Sequence, residues 1–320
     1  MTSIKKIITI SIFCFIGSAL FSQNDMLNLL DSIGEKKTHN KTIATFKGSK
    51  IINAQTIEPV KKRTMDFNIT HRFGNIGEAS NGGGHTLYGL DNVADVRIGF
   101  DFGITDNITL GVGRSSQNEL IDGFVKYRFL SQTTDNHIPF SIALYSDMSY
   151  NPQTSSQFYR GAIETSKRTE LQRVSYATQL IIARKFGWRF SMELIPSYQH
   201  RNFVVGVINP DNGAEETNGI FSMGVGGRIK ITQRFSIIGD YFYSFSNYRN
   251  NNSENPFFAP LALGFEIDTG GHIFHLMFTN SAGIIENNYI PHTTDDWLKG
   301  GFKFGFNISR VFNLGSKKRR

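Results

Sequence analysis

Histidine and serine are the side chains of this chain that could act as base and nucleophile in catalysis. A His beside a Ser hydroxyl and a polar partner is the arrangement of hydrolases that act on lipids. Four histidines fall in loops or at predicted strand ends on one side of the molecule: His71, His85, His200 and His292. Serines occur almost everywhere, so no nucleophile stands out. We expect isolated histidines and no enzymatic activity, with a hydrolase as the weakest alternative.

Two other patterns bear on metal binding. His272 and His275 are three positions apart on a predicted strand, so their side chains face opposite sides and cannot share a metal ion. The loop "PDNGAEE" carries Asp211, Glu215 and Glu216, whose oxygens suit Ca²⁺. Their spacing is not that of an EF-hand, which favours a solvated acidic loop. The sequence predicts no metal and no cofactor.

Charged residues also recur at every second position within predicted strands. In "VRIGFDFGITDNITLGVGR" (96–114), apolar residues alternate with Arg, Asp, Thr and Gly. This period of two places the charges on one face of a strand. The predicted inward-facing set is Arg97, Asp101, Asp122, Lys126, Arg128, Glu193, Arg228, Asp240, Glu266 and Lys303, with Asp268 and Lys299 added by the same alternation. Such charges either line a conduit or pair with one another and close it.

Glycines share this polar face. Strand glycines mark bending of the sheet or close approach of another chain segment. The inward-facing glycines are Gly99, Gly103, Gly111, Gly113, Gly224, Gly226, Gly301 and Gly305. Two interpretations stay open, namely curvature of the wall and contact with residues 24–63 inside the lumen.

The elements that must position these residues are about twelve strands. They are predicted at 64–73, 93–104, 107–114, 119–130, 139–150, 171–186, 189–203, 219–231, 235–247, 259–268, 272–280 and 297–312. Short connections alternate with longer ones at 74–92, 151–170, 206–218, 248–258 and 281–296. This alternation and an even strand count are typical of bacterial outer-membrane barrels. The fold class is therefore all-β, a transmembrane antiparallel barrel.

The composition of the two strand faces favours a membrane over water. The continuous aromatic and aliphatic face suits lipid, and the Gly-rich polar face suits an enclosed lumen, whereas a soluble β protein is the alternative. Trp188 and Trp297 fall at opposite ends of the predicted barrel, as in interfacial aromatic girdles. "KGGFKFGF" (299–306) is similar to the signal that the barrel assembly machinery recognises. We expect outer-membrane lipid and that machinery as partners.

The N-terminus has the pattern of a secretory signal peptide. Basic "MTSIKK" precedes the apolar run "IITISIFCFIGSALF", with cleavage predicted after Ser22. The only cysteine, Cys14, lies in this run, so the mature chain has no thiol. The formal charge of +7 falls to about +5 on cleavage and is too scattered for nucleic acid. Predicted boundaries are 1–22 signal peptide, 23–63 periplasmic or lumen-plugging segment, and 64–320 barrel.

Several stretches resemble a known family. "TFKGSKIIN" (45–53), "DFNITHRFGNI" (66–76), "LYGLDNVADVRIGFDFGITDNITLGVGRS" (87–115) and "GHIFHLMFTNS" (271–281) are similar to an outer-membrane β-barrel family of Bacteroidetes-type bacteria, domain of unknown function 5777. The resemblance spans nearly all of the mature chain. It implies a barrel in the outer membrane of a Gram-negative bacterium and brings no substrate or catalytic residue.

The leading functional prediction is a pore or facilitator for small polar solutes, selected by the lumenal charges. The alternative is a non-conducting barrel whose loops 74–92, 151–170 and 281–296 grip a partner protein. The sequence leaves the oligomeric state, and whether the lumen is open or plugged, undecided.

Overall fold

The computed structural model describes residues 39–77, 82–162 and 168–315. In these ranges twelve strands form a closed antiparallel barrel in which each strand pairs with its sequence neighbours and the first pairs with the last. The strands are β1 (Thr64–Asn75), β2 (Val93–Gly103), β3 (Ile108–Ser115), β4 (Ile121–Leu130), β5 (Ser141–Tyr150), β6 (Val174–Lys185), β7 (Phe190–Arg201), β8 (Gly219–Lys230), β9 (Phe235–Phe245), β10 (Leu261–Asp268), β11 (His272–Thr279) and β12 (Lys303–Asn313). The predicted twelve-stranded barrel is confirmed.

One predicted strand is wrong at its start. The last strand was expected from residue 297, but Trp297–Lys299 form a 3-10 turn and β12 begins at Lys303. The Asp296 side chain caps this turn by accepting the Leu298 N–H at 2.9 Å, and Gly300 ends it with a φ of +81°. Lys299 is consequently exposed rather than inward-facing. The predicted signal peptide, Cys14 and residues 316–320 lie outside the described residues.

The barrel has two unlike ends. β1 begins at one end beside the turns that join β2–β3, β4–β5, β6–β7, β8–β9 and β10–β11, and we call this the turn end. The other six connections are at the loop end and hold two short helices, α1 (Ser155–Phe158) and α2 (Glu286–His292). Among the described residues, no helix combines the length and the apolar character needed to cross a bilayer.

The outer surface of the wall is apolar. Phe221 is 64% exposed, Met148 54% and Leu263 53%, and similar side chains recur around the barrel on alternate strand positions. A protein surrounded by water usually buries so many large apolar groups. A continuous exposed belt of them is therefore typical of a surface that contacts lipid. Trp188 is exposed at the turn end, and Trp297 stacks on Phe302 at the loop end with ring centroids 4.9 Å apart.

The interior is filled from both ends. Residues 39–63, which we call the plug, run from the turn end into the lumen. The connection from β11 to β12, which we call the inner loop (residues 280–302), folds into the lumen from the loop end. Apolar side chains of both segments join one buried cluster with the wall, including Ile51, Ile52, Ile57, Tyr289, Ile290, Phe124 and Phe242. The expectation that residues 281–296 grip a partner from outside is wrong, because α2 is buried in the barrel from Glu286 to Pro291.

The inward glycines make room for what fills the lumen. A Cβ on Gly103 would lie 1.9 Å from the Lys61 carbonyl oxygen, where the plug joins β1. A Cβ on Gly226 would lie 2.5 Å from Cδ1 of Ile51 in the plug. Gly111 and Gly224 instead accommodate the rings of Phe124 and Phe242 from neighbouring strands. Two of these glycines therefore pack against the plug, and two make room for aromatic rings of the wall.

Gly103→Ala tests the contact between wall and plug. The added methyl group meets backbone atoms of residues 60 and 61, which cannot rotate away, so the end of the plug must move. Overpacking of this kind costs about 1–3 kcal/mol. We expect hydrogen exchange of the Val60 and Arg63 amides, which bond to Thr109 and to Gly103 itself, to accelerate about tenfold or more.

The matched control for this substitution is Gly123→Ala. Gly123 also lies inside a strand, but its nearest neighbour to a built Cβ is 3.8 Å away. Amide exchange at residues 60–63 should stay at the wild-type rate in this variant. Equal exchange rates in the two variants would contradict the packing explanation.

Candidate functional site: a charged lumen closed by a plug

The ten residues predicted to line the lumen all lie on the inward face of the wall. Nine of them are 5% exposed or less, and Arg128 is half-buried near the turn end. They do not converge on one site. Eight of them form pairs within the wall or contact the plug or the inner loop, namely Arg97, Asp122, Arg228, Glu266, Lys126, Arg128, Asp240 and Lys303.

Arg97 and Asp122 form the closest pair within the wall. Arg97 donates from Nη2 and Nε to the two Asp122 carboxylate oxygens at 2.5 and 2.9 Å, and from Nη1 to Asn68 Oδ1 at 3.0 Å. Two-pronged pairing of this kind is strong and directional. Gly99 and Gly113 give the guanidinium its space, since a Cβ on either would lie within 2.4 Å of it.

A second cluster lies nearer the turn end. Arg228 Nε donates to Glu266 Oε1 at 2.7 Å, and the other Glu266 oxygen is 3.3 Å from His275 Nε2. All three side chains are buried. His275 was considered in the sequence only as a metal ligand, although the alternation along β11 places it inward and His272 on the other face.

Asp240 on β9 makes the most specific contact with the plug. Its Oδ2 accepts the backbone N–H groups of Ile52, Asn53 and Ala54 at 3.1, 2.8 and 3.1 Å. Its Oδ1 accepts the Asn53 side-chain amide at 3.1 Å. Three successive N–H groups turned to one carboxylate form a concave anion site in the backbone. The plug folds its tip around a charge of the wall.

Cations of the wall hold the rest of the plug. Lys126 Nζ donates to the Ser49 carbonyl oxygen at 2.9 Å. Arg128 is paired at 3.2 Å with Glu58, which also accepts the Thr45 N–H at 2.8 Å. At the turn-end mouth the charges are reversed, since Oδ2 of Asp268 on the wall is 2.7 Å from Nζ of Lys47 in the plug.

Lys50 brings a positive charge from the plug into the middle of the lumen. The charges around it belong to Glu286, Arg97, Asp122 and Asp101. Burial lowers the pKa of Lys50, and the Glu286 carboxylate opposes that shift. Next to Lys50, Asp101 and His275 the space left between plug and wall is a cavity of only about 30 Å³. It is room for a water molecule and not for a passage.

The inner loop is fixed to the wall by a second set of polar contacts. Tyr145 donates to Glu286 at 3.2 Å, and Asn287 donates to Asp147 and, at 2.7 Å, to Ser149. Near the loop end, Lys303 pairs with Asp295. Lys303 therefore binds the inner loop. Asp147 is a further acidic residue that faces the lumen, and the alternation along β5 would have predicted it. Glu286 could not be found in this way because it lies outside any strand.

Three of the four histidines considered for catalysis lie on the outer face or in an exposed loop. His71 faces outward, with its ring 5.3 Å from that of Phe306 and stacked on it, and His200 also lies on the outer face. His85 is exposed in the loop after β1. Glu216 of the acidic loop is not solvated, since it pairs with Arg201 at 2.9 Å and Arg249 at 3.2 Å. Within the described ranges, no three acidic, His or Cys side chains are grouped to hold a metal ion.

The wall pair is tested by Arg97→Met. This change leaves the Asp122 carboxylate buried without its cation, and we expect the free energy of unfolding in lipid vesicles to fall by about 3–5 kcal/mol. Replacing both partners, in Arg97→Met with Asp122→Leu, should recover most of that loss. The measurement is urea-induced unfolding followed by tryptophan fluorescence.

The control is the exposed pair of Arg114 and Glu119 at 3.6 Å. Arg114→Met should change the free energy of unfolding by at most about 1 kcal/mol, as is usual for exposed ion pairs. A loss for Arg97→Met no greater than this would show that the buried pair does not hold the wall.

Comparison with known proteins gives distant structural similarities and one family match. The sequence search of curated proteins found no relative. Solved structures with some similarity include the NanC porin (8% identity, TM-score 0.45, covering 77% of this chain and 98% of that one) and the KdgM porin in complex with disordered oligogalacturonate (8%, 0.42, 78% and 99%). The outer membrane protein Omp33 of Acinetobacter baumannii is 9% identical with a TM-score of 0.37, and the match covers 81% of this chain and 100% of that one. What those proteins bind or conduct is a property of those proteins.

The family model described as "Membrane bound beta barrel domain (DUF5777)" matches residues 46–312. The match begins inside the plug and ends in the last strand, so it includes most of the plug as well as the whole wall. The chain therefore belongs to this family of membrane-bound β-barrels.

Proposed function

We propose that this chain is an outer-membrane barrel that conducts small polar solutes and that the plug holds it closed in the conformation described here. The solute would be selected by the mixed charges of the lumen. The proposal assigns no chemical step, cofactor or metal to the chain. It includes removal of residues 1–22 on export and insertion by the barrel assembly machinery.

The observation that carries the proposal is that the wall is complete without the plug. All twelve strand pairings are made between wall strands. Among the β pairings of the described residues, the plug forms only isolated bridges, such as Lys41 with Thr133. It can leave the lumen without breaking the sheet hydrogen bonds that close the barrel.

The interior exposed by such a movement would be charged. Asp240, Lys126 and Arg128 would lose their partners in the plug and become hydrated. Charges of both signs along a water-filled barrel favour polar solutes over apolar ones. At the turn-end mouth, a cavity of about 530 Å³ bounded by Lys47, Glu58 and Asp268 already opens beside the plug.

A permanently closed barrel that binds a partner through its loops is the second candidate. It is favoured by the apolar cluster that plug, inner loop and wall share, because Ile51, Ile52 and Tyr289 are each 1% exposed or less. Separating such a cluster exposes apolar surface to water, which opposes opening.

Asp240→Ala distinguishes the two candidates. The substitution removes the acceptor of three plug N–H groups and leaves the wall strands intact. Hydrogen bonds to a charged group contribute about 1.5–3 kcal/mol. In planar lipid bilayers we expect the ratio of open to closed time to rise roughly 10- to 100-fold over wild type, with stepwise single-channel currents.

Asp66→Ala is the matched control. Asp66 is also a buried inward acid, but it accepts a hydrogen bond from Ser309 of the neighbouring strand at 2.6 Å rather than from the plug. Its open probability should match wild type. If both variants and a chain lacking residues 39–63 stay silent while folded, the conduit is excluded and the closed barrel is supported.

A further inference from the structure

A polar cleft lies at the loop end, above the inner loop. Its volume is about 270 Å³, and its lining includes Phe158, Phe203, Arg173, Arg201 and Glu216. On the lumen side it is bounded by Asn287 and Asn288 of α2. We call it the outer cleft. It stands where a solute coming from the loop end would first touch the segment that fills the lumen.

One side of the outer cleft is aromatic. The rings of Phe158 and Phe203 lie 5.6 Å apart, and Tyr159 meets Phe203 edge-on at 5.0 Å. Arg173 anchors this side, because its guanidinium lies 5.1 Å above the Phe158 ring and donates to the Asn151 carbonyl oxygen at 3.1 Å. The aromatic side is thus held in place rather than free to collapse.

Side-chain amides also line the outer cleft. Asn118 donates to Asn288 Oδ1 at 3.2 Å, and Gln153 faces the same space. Asn287 is 5% exposed, and its Oδ1 has no hydrogen-bond partner within the described ranges. Amide groups can donate to and accept from hydroxyl groups.

The cleft also has more positive than negative charge among the described residues. Arg201 and Arg249 both pair with the single oxygen Oε1 of Glu216, so two guanidiniums share one carboxylate. Burial and the neighbouring Arg201 charge lower the pKa of Arg249 to about 10. Arg173 is balanced separately by Glu170 at 3.3 Å. The two guanidiniums thus carry one more positive charge than the carboxylate that they share.

We propose that the outer cleft binds a small hydroxylated organic anion of the sugar-acid class. Its carboxylate lies toward Arg201, its hydroxyl groups reach the amides, and its ring packs on Phe158 and Phe203. This inference deepens the proposed function by naming the class of solute. It rests on that function only for the passage of the solute, because binding can be measured on the closed barrel.

The test is calorimetric titration of the full chain in detergent with three probes that share one ring, namely D-glucuronate, D-glucose and D-glucosamine. We expect glucuronate to bind at least about tenfold more tightly than glucose, and glucosamine to give no measurable heat. Equal binding of glucuronate and glucose, or no binding of glucuronate, would overturn the proposal.

Two charge variants separate recognition from a structural role. Arg201→Gln leaves Arg249 balanced by Glu216 and should weaken glucuronate binding about tenfold or more. Glu216→Gln releases both guanidiniums and should strengthen it. If the pair served only to hold the loops together, both changes would weaken binding, and that result would contradict the proposal.

The aromatic side has its own control. Phe203→Ala should weaken the binding of glucuronate and of glucose alike, whereas Tyr88→Ala, at an exposed aromatic in the loop after β1, should change neither. Glucuronate binding would support the cleft even if the conductance tests of the Asp240 variant and of the chain lacking residues 39–63 excluded the conduit. Conductance without glucuronate binding would support the conduit and contradict the cleft.

Discussion

The structure depends on one carboxylate of the wall that meets three amide groups of the plug. Asp240 is 3% exposed, and an isolated charge at that depth would be very costly. The backbone N–H groups of residues 52–54 have no strand partner and would also be costly to bury alone. The carboxylate and the N–H groups satisfy each other's need for a hydrogen-bond partner. This mutual need fixes the plug at one depth and in one orientation inside the barrel.

The same constraint organises the remainder of the lumen. A wall that shows apolar side chains to lipid must turn its polar face inward, so charges accumulate where an ordinary protein has its core. Within the wall they are neutralised in pairs, as in Arg97 with Asp122. Toward the centre they are matched by the plug and the inner loop, which also bring the apolar side chains Ile51 and Tyr289. The result is an interior in which polar and apolar contacts alternate and little space remains.

The sequence predicted the wall well because the pattern that marks a wall strand lies within the strand itself. Alternation with a period of two follows from the two different surroundings of a strand, and it placed Arg97, Glu193 and Asp240 on the inward face. It failed at the start of the last strand. The alternation continues through residues 297–302, but Trp297–Lys299 form a 3-10 turn capped by Asp296, so Lys299 is exposed.

The plug and the inner loop were harder to predict for a physical reason. The tip of the plug meets its acceptor 186 to 188 residues farther along the chain. The local pattern of "SKIINAQ" does not indicate that its backbone contacts a carboxylate so far away in the sequence. Glu286 and Asn287 likewise look like ordinary loop residues, and only their contacts with Tyr145 and Ser149 reveal that the loop folds inward.

Reagent access to the plug tests the central claim most directly. The predicted mature chain has no cysteine, so single thiols can be introduced at Ile52, which is 1% exposed, and at Ile43, which is 81% exposed. In lipid bilayers, a small charged methanethiosulfonate should modify Ile52→Cys roughly 100-fold more slowly than Ile43→Cys, because the first thiol becomes accessible only when the plug opens. Equal rates of modification would show that the plug does not occupy the lumen.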